Sequence, residues 1–283
     1  MRKRIMKISA GILALLLGYM VFCQCCMRMR WNDNKAYAVF KKRNIPLQIF
    51  DTVISDRHLH YAVTGNDELP TLVFIHGSPG SWFHYMYYMQ DTAMQKKFRM
   101  VSIDRPGFGY SDFGKAMHLE AQCNLILPVL KKLKNEQPMY GCGHSMGGPV
   151  LAKLAADEPG LFKKIVIVAG ALDSDQEKKE WWRHAMKNKP MYWFLPGAFG
   201  PSNTELLYLK KDLVPLANDL SKITSEVIFV HGDEDTWVPI GNVAYGINKM
   251  THAKSTRSDT LTGADHQVPW KRKDELKKIL MEL

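Results

Sequence analysis

Cysteine is scarce in these 283 residues: there are five, and Cys23, Cys25 and Cys26 sit almost side by side. Cys123 and Cys142 alone remain for the rest, so no disulfide framework is implied. Metal-ligand spacing is missing as well. His58 and His60 would share one face of a strand, but no third ligand of suitable type follows, which argues against a metal site. Internal repeats, low-complexity tracts and long linkers are absent after about residue 45. With 46% hydrophobic and 11% aromatic residues, the chain can bury one large core. An excess of positive charge is lacking where it would matter. The formal charge is +10, yet residues 1–43 carry ten Lys or Arg against the single acid Asp33, and the remainder holds 28 basic against 27 acidic residues. A nucleic-acid-binding domain needs a basic face on its folded body. A nearly neutral body argues against that class.

What is present begins with the leader MRKRIMKISAGILALLLGYMVFCQCCMRMR. Arg2, Lys3, Arg4 and Lys7 precede an apolar run from Ile8 to about Cys26. A cleaved signal wants a shorter run and small residues before the cut, whereas a spanning helix wants roughly 18 or more apolar residues. No A-x-A pattern follows, and Phe22 before Cys23 is a poor match to a lipoprotein signal. The favoured reading is therefore an uncleaved anchor, with a cleaved signal as the alternative. Arg28, Arg30, Lys35, Lys41, Lys42 and Arg43 make the far flank basic too, so the positive-inside rule does not set the orientation. The cysteines at the end of the run are either lipid acceptors or small apolar fillers. Residues 1–43 are expected to form this segment and a linker, and residues 44–283 one domain.

The body alternates strand-like and helix-like segments. LQIFDTVI and LHYAVTG read as an opening hairpin. TLVFIHG, FRMVSIDRPG, PMYGCGHS, KKIVIVAG and EVIFVHGDED are short apolar runs, each ending in glycine or a polar residue. Helical patterns lie between most of them, including 82–97, 120–135 and 146–157. Such alternation predicts a mostly parallel sheet buried on both faces, with chemistry at the carboxyl ends of its strands.

One of those ends reads GCGHSMGGPVLAKLAAD, in which Gly143, Ser145 and Gly147 satisfy G-x-S-x-G. A strand that turns sharply into a helix strains its apical residue, so the positions two away must lack side chains. The serine hydroxyl is then pushed into the open, beside the Met146 amide at a helix N-terminus. Serine needs a base, and the base needs an orienting group. VIFVHGDEDTWVP and TGADHQVPW supply acids and a histidine downstream. The order Ser145, Asp235, His266 fits this architecture.

From about Leu47 onward the chain resembles the serine-nucleophile branch of the α/β-hydrolases. HGSPGSW, DRPGFGYSD, GHSMGG, HGDEDTWVP and DHQVPW carry that resemblance, in the family's order. It implies an eight-stranded, mostly parallel sheet flanked by helices, with a small helical cap inserted after strand 6, at about residues 171–225. By the same resemblance Ser145 is the nucleophile, Asp235 the orienting acid and His266 the general base. The backbone amides of Ser78 and Met146 form the oxyanion hole. Asp235 is preferred over Asp233 and Glu234 because the family's acid lies three residues before the Val238-Pro239 pair. His144 is expected to pack or hydrogen-bond beneath the turn, and His76 to shape the oxyanion loop. Asp104 and Arg105 are expected to make a structural ion pair, and Asp265 to be solvated.

Relatives that open epoxides or displace halide carry aspartate where this chain has Ser145, so the resemblance implies an acyl-enzyme mechanism needing neither cofactor nor metal. The cap region gathers Trp181, Trp182, Tyr192, Trp193, Phe194 and Phe199. Aromatics at helical spacing usually pack a lid, but Trp182, Trp193 and Phe194 are also expected to wall an apolar pocket. The leading expectation is a carboxylesterase acting on a small to medium apolar ester. Cleavage of an amide or a carbon–carbon bond by the same triad stays open, as does an inactive binding module. The partners expected are a small ester-like molecule and, through the leader, a membrane, with no nucleic acid. The catalytic body is placed in the cell envelope outside the cytoplasm.

Overall fold

The computed structural model describes residues 2–178 and 180–283. Eight strands, β1 (Leu47–Ile54), β2 (Arg57–Thr64), β3 (Thr71–Ile75), β4 (Arg99–Ile103), β5 (Met139–His144), β6 (Lys164–Val168), β7 (Glu226–Gly232) and β8 (Ser255–Leu261), form one sheet. Their order is β1-β2-β4-β3-β5-β6-β7-β8. β1, β2 and β4 pair antiparallel and all other neighbours run parallel. The chain therefore steps from β3 to one side for β4, then returns across β3 for β5. That reversal opens a crevice between the carboxyl ends of β3 and β5, where doubly wound sheets bind ligands.

The central strands are continuous apolar runs because both faces are covered. On one face lie α5 (Leu119–Leu133), α6 (Gly147–Asp157) and α9 (Phe199–Asp219), whose Ile126, Leu151 and Leu213 are fully buried. On the other face, Phe74, Tyr85, Tyr88 and Phe98 pack with α4 (Thr92–Lys97) and the C-terminal α12 (Lys273–Leu280). The expected helix at 82–97 is broken into a 3-10 turn (Trp82–Tyr85), α3 (Met86–Met89) and α4. Asp91 causes the break, since its carboxylate accepts the amides of Ala93 and Met94 and restarts the helix there. β8 has no apolar run of its own. It is an exposed edge strand, held by parallel pairing to β7.

Two segments alter the expected layout. α2 (Asp33–Lys41) falls where a linker was expected, yet it buries Ala36 and Phe40 in the core beside Trp82, so the packed body reaches back to about residue 33. Between β6 and β7 the chain forms α7 (Trp182–Ala185), α8 (Met191–Phe194) and α9. α9 is no loose lid, because Leu209, Leu213 and Leu216 are buried in the core. The remaining helices are α1 (Arg2–Cys26), α10 (Gly241–Lys249) and α11 (Val268–Lys271). α1 is long and apolar enough to cross a membrane.

Gly141 shows how packing overrides propensity on this sheet. A Cβ at Gly141 would come within 2.4 Å of a Leu151 methyl on α6. Strand propensity favours Gly141→Ala, whereas displacing Leu151 from a filled core costs about 1–3 kcal/mol. Net destabilisation is expected in thermal unfolding of the full chain; a raised midpoint would contradict this packing.

Candidate active site

The turn from β5 into α6 places Ser145 at its apex with φ of 53°, a left-handed conformation costly for serine. Two glycines hold it there. A Cβ on Gly143 would lie 2.3 Å from the Gly147 carbonyl oxygen, and one on Gly147 would lie 2.1 Å from that of Ile75. Both obstacles are backbone, so neither can swing away. The Ser145 amide donates to the Val168 carbonyl at 2.9 Å, and its carbonyl accepts from Gly148 at 2.8 Å. The backbone is pinned on both sides and the hydroxyl projects from it.

That hydroxyl donates to His266 Nε2 at 2.8 Å, and His266 Nδ1–H donates to Asp235 Oδ2 at 2.7 Å. The Asp235 side chain is fully buried. Burial alone would raise its pKa, but His231, His266 and the Val238 amide outweigh that and hold it well below the usual carboxylate range. Its other oxygen accepts the Trp237 and Val238 amides, both at 2.9 Å. With the carboxylate ionised and fixed, the imidazole keeps its proton on Nδ1 and offers Nε2 to the hydroxyl. Asp233 instead binds the Gly263 amide, and Asp265 faces Lys271 at the surface.

His144 lies beneath the turn, as expected. Burial pushes it down to about 3, so it stays neutral, and its Nε2–H donates to the His266 carbonyl at 2.9 Å. His144, the residue before Ser145, thus positions the backbone of His266. Trp237 and Trp270 enclose this pair: the Trp237 ring lies 5.1 Å from that of His266, and Trp270 meets His144 edge-on at 5.2 Å.

The loop after β3 closes against Ser145 because Gly77 lacks a side chain; a Cβ there would sit 3.0 Å from Ser145 Cβ. Among the described residues, neither the Ser78 nor the Met146 amide donates to a protein acceptor. His76 shapes this loop from below. Its Nδ1–H donates to the Gly77 carbonyl at 2.7 Å, and its Nε2 accepts the Arg105 amide at 3.0 Å.

Asp104 and Arg105 do not pair with each other. The buried Asp104 carboxylate accepts the Trp82 and Tyr110 amides at 2.6 and 2.9 Å, and its Oδ2 lies 2.8 Å from His60 Nδ1. Arg105, also fully buried, makes a two-pronged ion pair with Glu205 of α9 at 2.7 and 2.9 Å. It further donates to the carbonyls of His76 and Gly77 at 2.8 and 2.9 Å. Adjacent residues on an extended segment point to opposite sides, which sends the acid and the base to different partners. Nothing in the sequence around Glu205 signals this role.

The three aromatics expected to wall a pocket make contacts with α1 or with their own chain neighbours. Phe194 stacks on Tyr19 of α1 at 6.5 Å, the Trp193 carbonyl accepts from Gln24, and Trp182 lies under the Arg183 guanidinium. No hydrogen bond or ring pairing among the described residues joins Trp182, Trp193 or Phe194 to Ser145 or His266. Trp237 and Trp270 flank the histidines.

Comparison with known proteins agrees with this architecture. A family model described as alpha/beta hydrolase fold matches residues 70–207. Epoxide hydrolase 1 of Caenorhabditis elegans is 30% identical over 111 residues, which is 38% of this chain and 27% of that protein. The chain spans between about a quarter and two fifths of the first such relatives. Among solved structures, a membrane phospholipase A described as a bacterial virulence factor superposes with a TM-score of 0.69 at 16% identity, over 99% of this chain and 97% of that one. A carboxylesterase of Nitrososphaera gargenis gives 0.65 at 17% identity, over 83% and 97%.

Two outcomes follow from the buried charges. Glu205→Gln leaves Arg105 buried without its counter-ion, which costs about 3–5 kcal/mol; an unchanged unfolding midpoint would refute the clamp. The second is a pH effect. Burial holds His76 well below 6.5, His84 at about 4 and His144 at about 3. Between pH 5 and 6 the unfolded chain protonates these three while the folded chain does not. Glu177 works against them, because burial lifts it to about 7 from an ordinary 4.5, so it gives up a proton on unfolding in that window. Net uptake is roughly two protons, so stability falls as pH drops from 6 to 5, by about 3 kcal/mol. Unfolding midpoints measured across pH 5–6 should fall toward acid; a flat profile would contradict the neutral histidines.

Proposed function

We propose that this chain, an α/β-hydrolase by fold, is a serine hydrolase that cleaves carboxylic esters through an acyl-enzyme. The observation that carries this reading is the unbroken relay from the Ser145 hydroxyl through His266 to the buried Asp235 carboxylate. Ser145 Oγ attacks the ester carbonyl carbon while His266 Nε2 takes the hydroxyl proton. The former carbonyl oxygen becomes an oxyanion facing the Ser78 and Met146 amides. On collapse, the bond to the leaving oxygen breaks and His266 returns its proton to that oxygen, releasing the alcohol. Water then attacks the acyl-serine with His266 again as base, and the acid leaves with Ser145 restored.

Asp235 keeps the imidazole oriented and stabilises its positive form without becoming protonated. His144 and the Arg105 clamp act through position, holding the base and the oxyanion loop. Serine at the apex, where epoxide-opening relatives carry aspartate, favours acyl transfer over ring opening. Two of the superposing structures are described as a phospholipase and a carboxylesterase, which supports an ester as substrate.

The reading includes a retained membrane anchor. The end of α1 and the residue after it serve the body directly: the Cys23 and Met27 carbonyls accept the Gly197 and Ala198 amides at 2.9 Å, and Gln24 donates to the Leu195 carbonyl at 3.0 Å. Cleavage after Cys26 would detach the Cys23 and Gln24 contacts from this junction. We place the catalytic body outside the cytoplasm, at the envelope membrane.

Labelling of the full chain with a fluorophosphonate probe tests the activity. Wild type is expected to label and Ser145→Ala to show no labelling, with hydrolysis of short- and medium-chain esters lost in parallel by about three orders of magnitude or more. A folded wild type that resists the probe, or a variant that still hydrolyses, would overturn the assignment.

A further inference from the structure

The cap's first turns carry large apolar side chains that nothing in the body covers. Trp181 is 81% exposed, and Trp182, Met191, Trp193 and Phe199 are each exposed by more than a third. These residues are not scattered. They lie in the short segment built of α7, α8 and the start of α9, and α8 is the part of the body that touches α1. Phe194 stacks on Tyr19, Gln24 donates to Trp193 and Leu195, and Gly197 and Ala198 donate to the carbonyls at the end of α1. Gly197 permits that junction, since a Cβ there would lie 2.8 Å from the Cys23 carbonyl oxygen.

The length of α1 sets the depth of this contact. With Lys7 at one edge of a bilayer, the roughly 30 Å hydrocarbon layer is crossed in about twenty residues, at about residue 27. The stretch that α8 and the loop after it touch, Tyr19 to Met27, is therefore about the last two fifths of the span. An element packed beside it cannot stay clear of the leaflet. Its composition suits that place: tryptophans and methionine, with five Lys or Arg against one acid between residues 178 and 189. Arg183 lies over the Trp182 ring and Lys189 over the Trp193 ring, at 4.5 and 5.1 Å. Aromatic rings with cationic tips are the side chains that settle between acyl chains and anionic headgroups.

We infer that residues 181–199 form a second membrane contact, docked into the anionic leaflet beside the C-terminal end of α1, which sets the cap at the lipid surface and supplies the site with amphiphilic esters from that leaflet. The inference rests on the retained anchor and, for its substrate, on the esterase reading. Docking sets the tilt of the body against the leaflet, which a single anchoring helix leaves free.

The test uses the full chain reconstituted in phosphatidylcholine–phosphatidylglycerol vesicles with brominated acyl chains, which quench tryptophan emission on contact. A Trp181→Phe/Trp193→Phe variant changes exposed rings only. Its bromolipid-quenchable share of emission should fall about twofold relative to wild type, since interfacial tryptophans supply most of that share. An unchanged share would place these rings away from lipid and overturn the inference; so would crosslinking that shows a second copy of the chain covering them. Wild type that alkaline carbonate strips from the vesicles would remove the anchor and the docking together. In a second arm, Trp181→Glu should lower the rate on a long-chain ester dispersed in the vesicles, relative to that on a water-soluble short-chain ester, by about tenfold. Equal loss on both substrates would indicate a general cap defect and count against docking. Failure of all hydrolysis alongside normal quenching would refute the esterase reading and leave the membrane contact standing.

Discussion

The backbone of Ser145 is the constraint from which the candidate site is built. A non-glycine residue at φ of 53° persists only where its surroundings leave no alternative. Here β5 is fixed between β3 and β6, α6 is fixed by the core beneath it, and Gly143 and Gly147 are the two positions where any side chain would strike backbone. The strain is carried by the sheet as a whole. In return the hydroxyl stands at the reversal of strand order, with the loops after β3 and β7 within reach and a helix N-terminus behind it.

Around that apex the polar groups are held by buried hydrogen bonds rather than by solvent. Asp235 takes two amides and a histidine, His144 grips the backbone of His266, and Arg105 grips the backbone of the loop after β3. The Arg105–Glu205 pair gives little net stability in itself, since desolvating two charges costs about what their attraction returns. Its value lies in connection. One side chain ties the loop after β3, the segment after β4 and α9, so α9 cannot shift without disturbing that loop. The body is likewise tied to α1, whose terminal carbonyls are satisfied by the cap loop at Gly197 and Ala198. α1, the α8–α9 segment and the candidate site are joined in series.

Much of this was legible in the sequence, and the reasons are local. The parallel strands are apolar runs ended by glycine, the elbow announces itself by two obligatory glycines, and Asp235 and His266 follow in the expected order at strand ends. What escaped was set by tertiary contact. β8 is polar because it is an edge, so it shows no period of its own. Asp91 breaks a helix whose apolar pattern continues through it. Glu205 looks like any surface acid on a helix until Arg105 meets it from a hundred residues away. Trp193 and Phe194 read as pocket walls because aromatics in a cap suggest a pocket, whereas their contacts with Tyr19 and Gln24 of α1 had no signal in the sequence.

The account stands on Ser145 becoming acylated during turnover. Rapid acid quenching of the full-length protein with an ester substrate, followed by mass spectrometry of the intact chain and its peptides, measures this directly. One acyl group per chain is predicted, located on the peptide that contains Ser145. Turnover with no acyl adduct, or with the adduct on another residue, would contradict it.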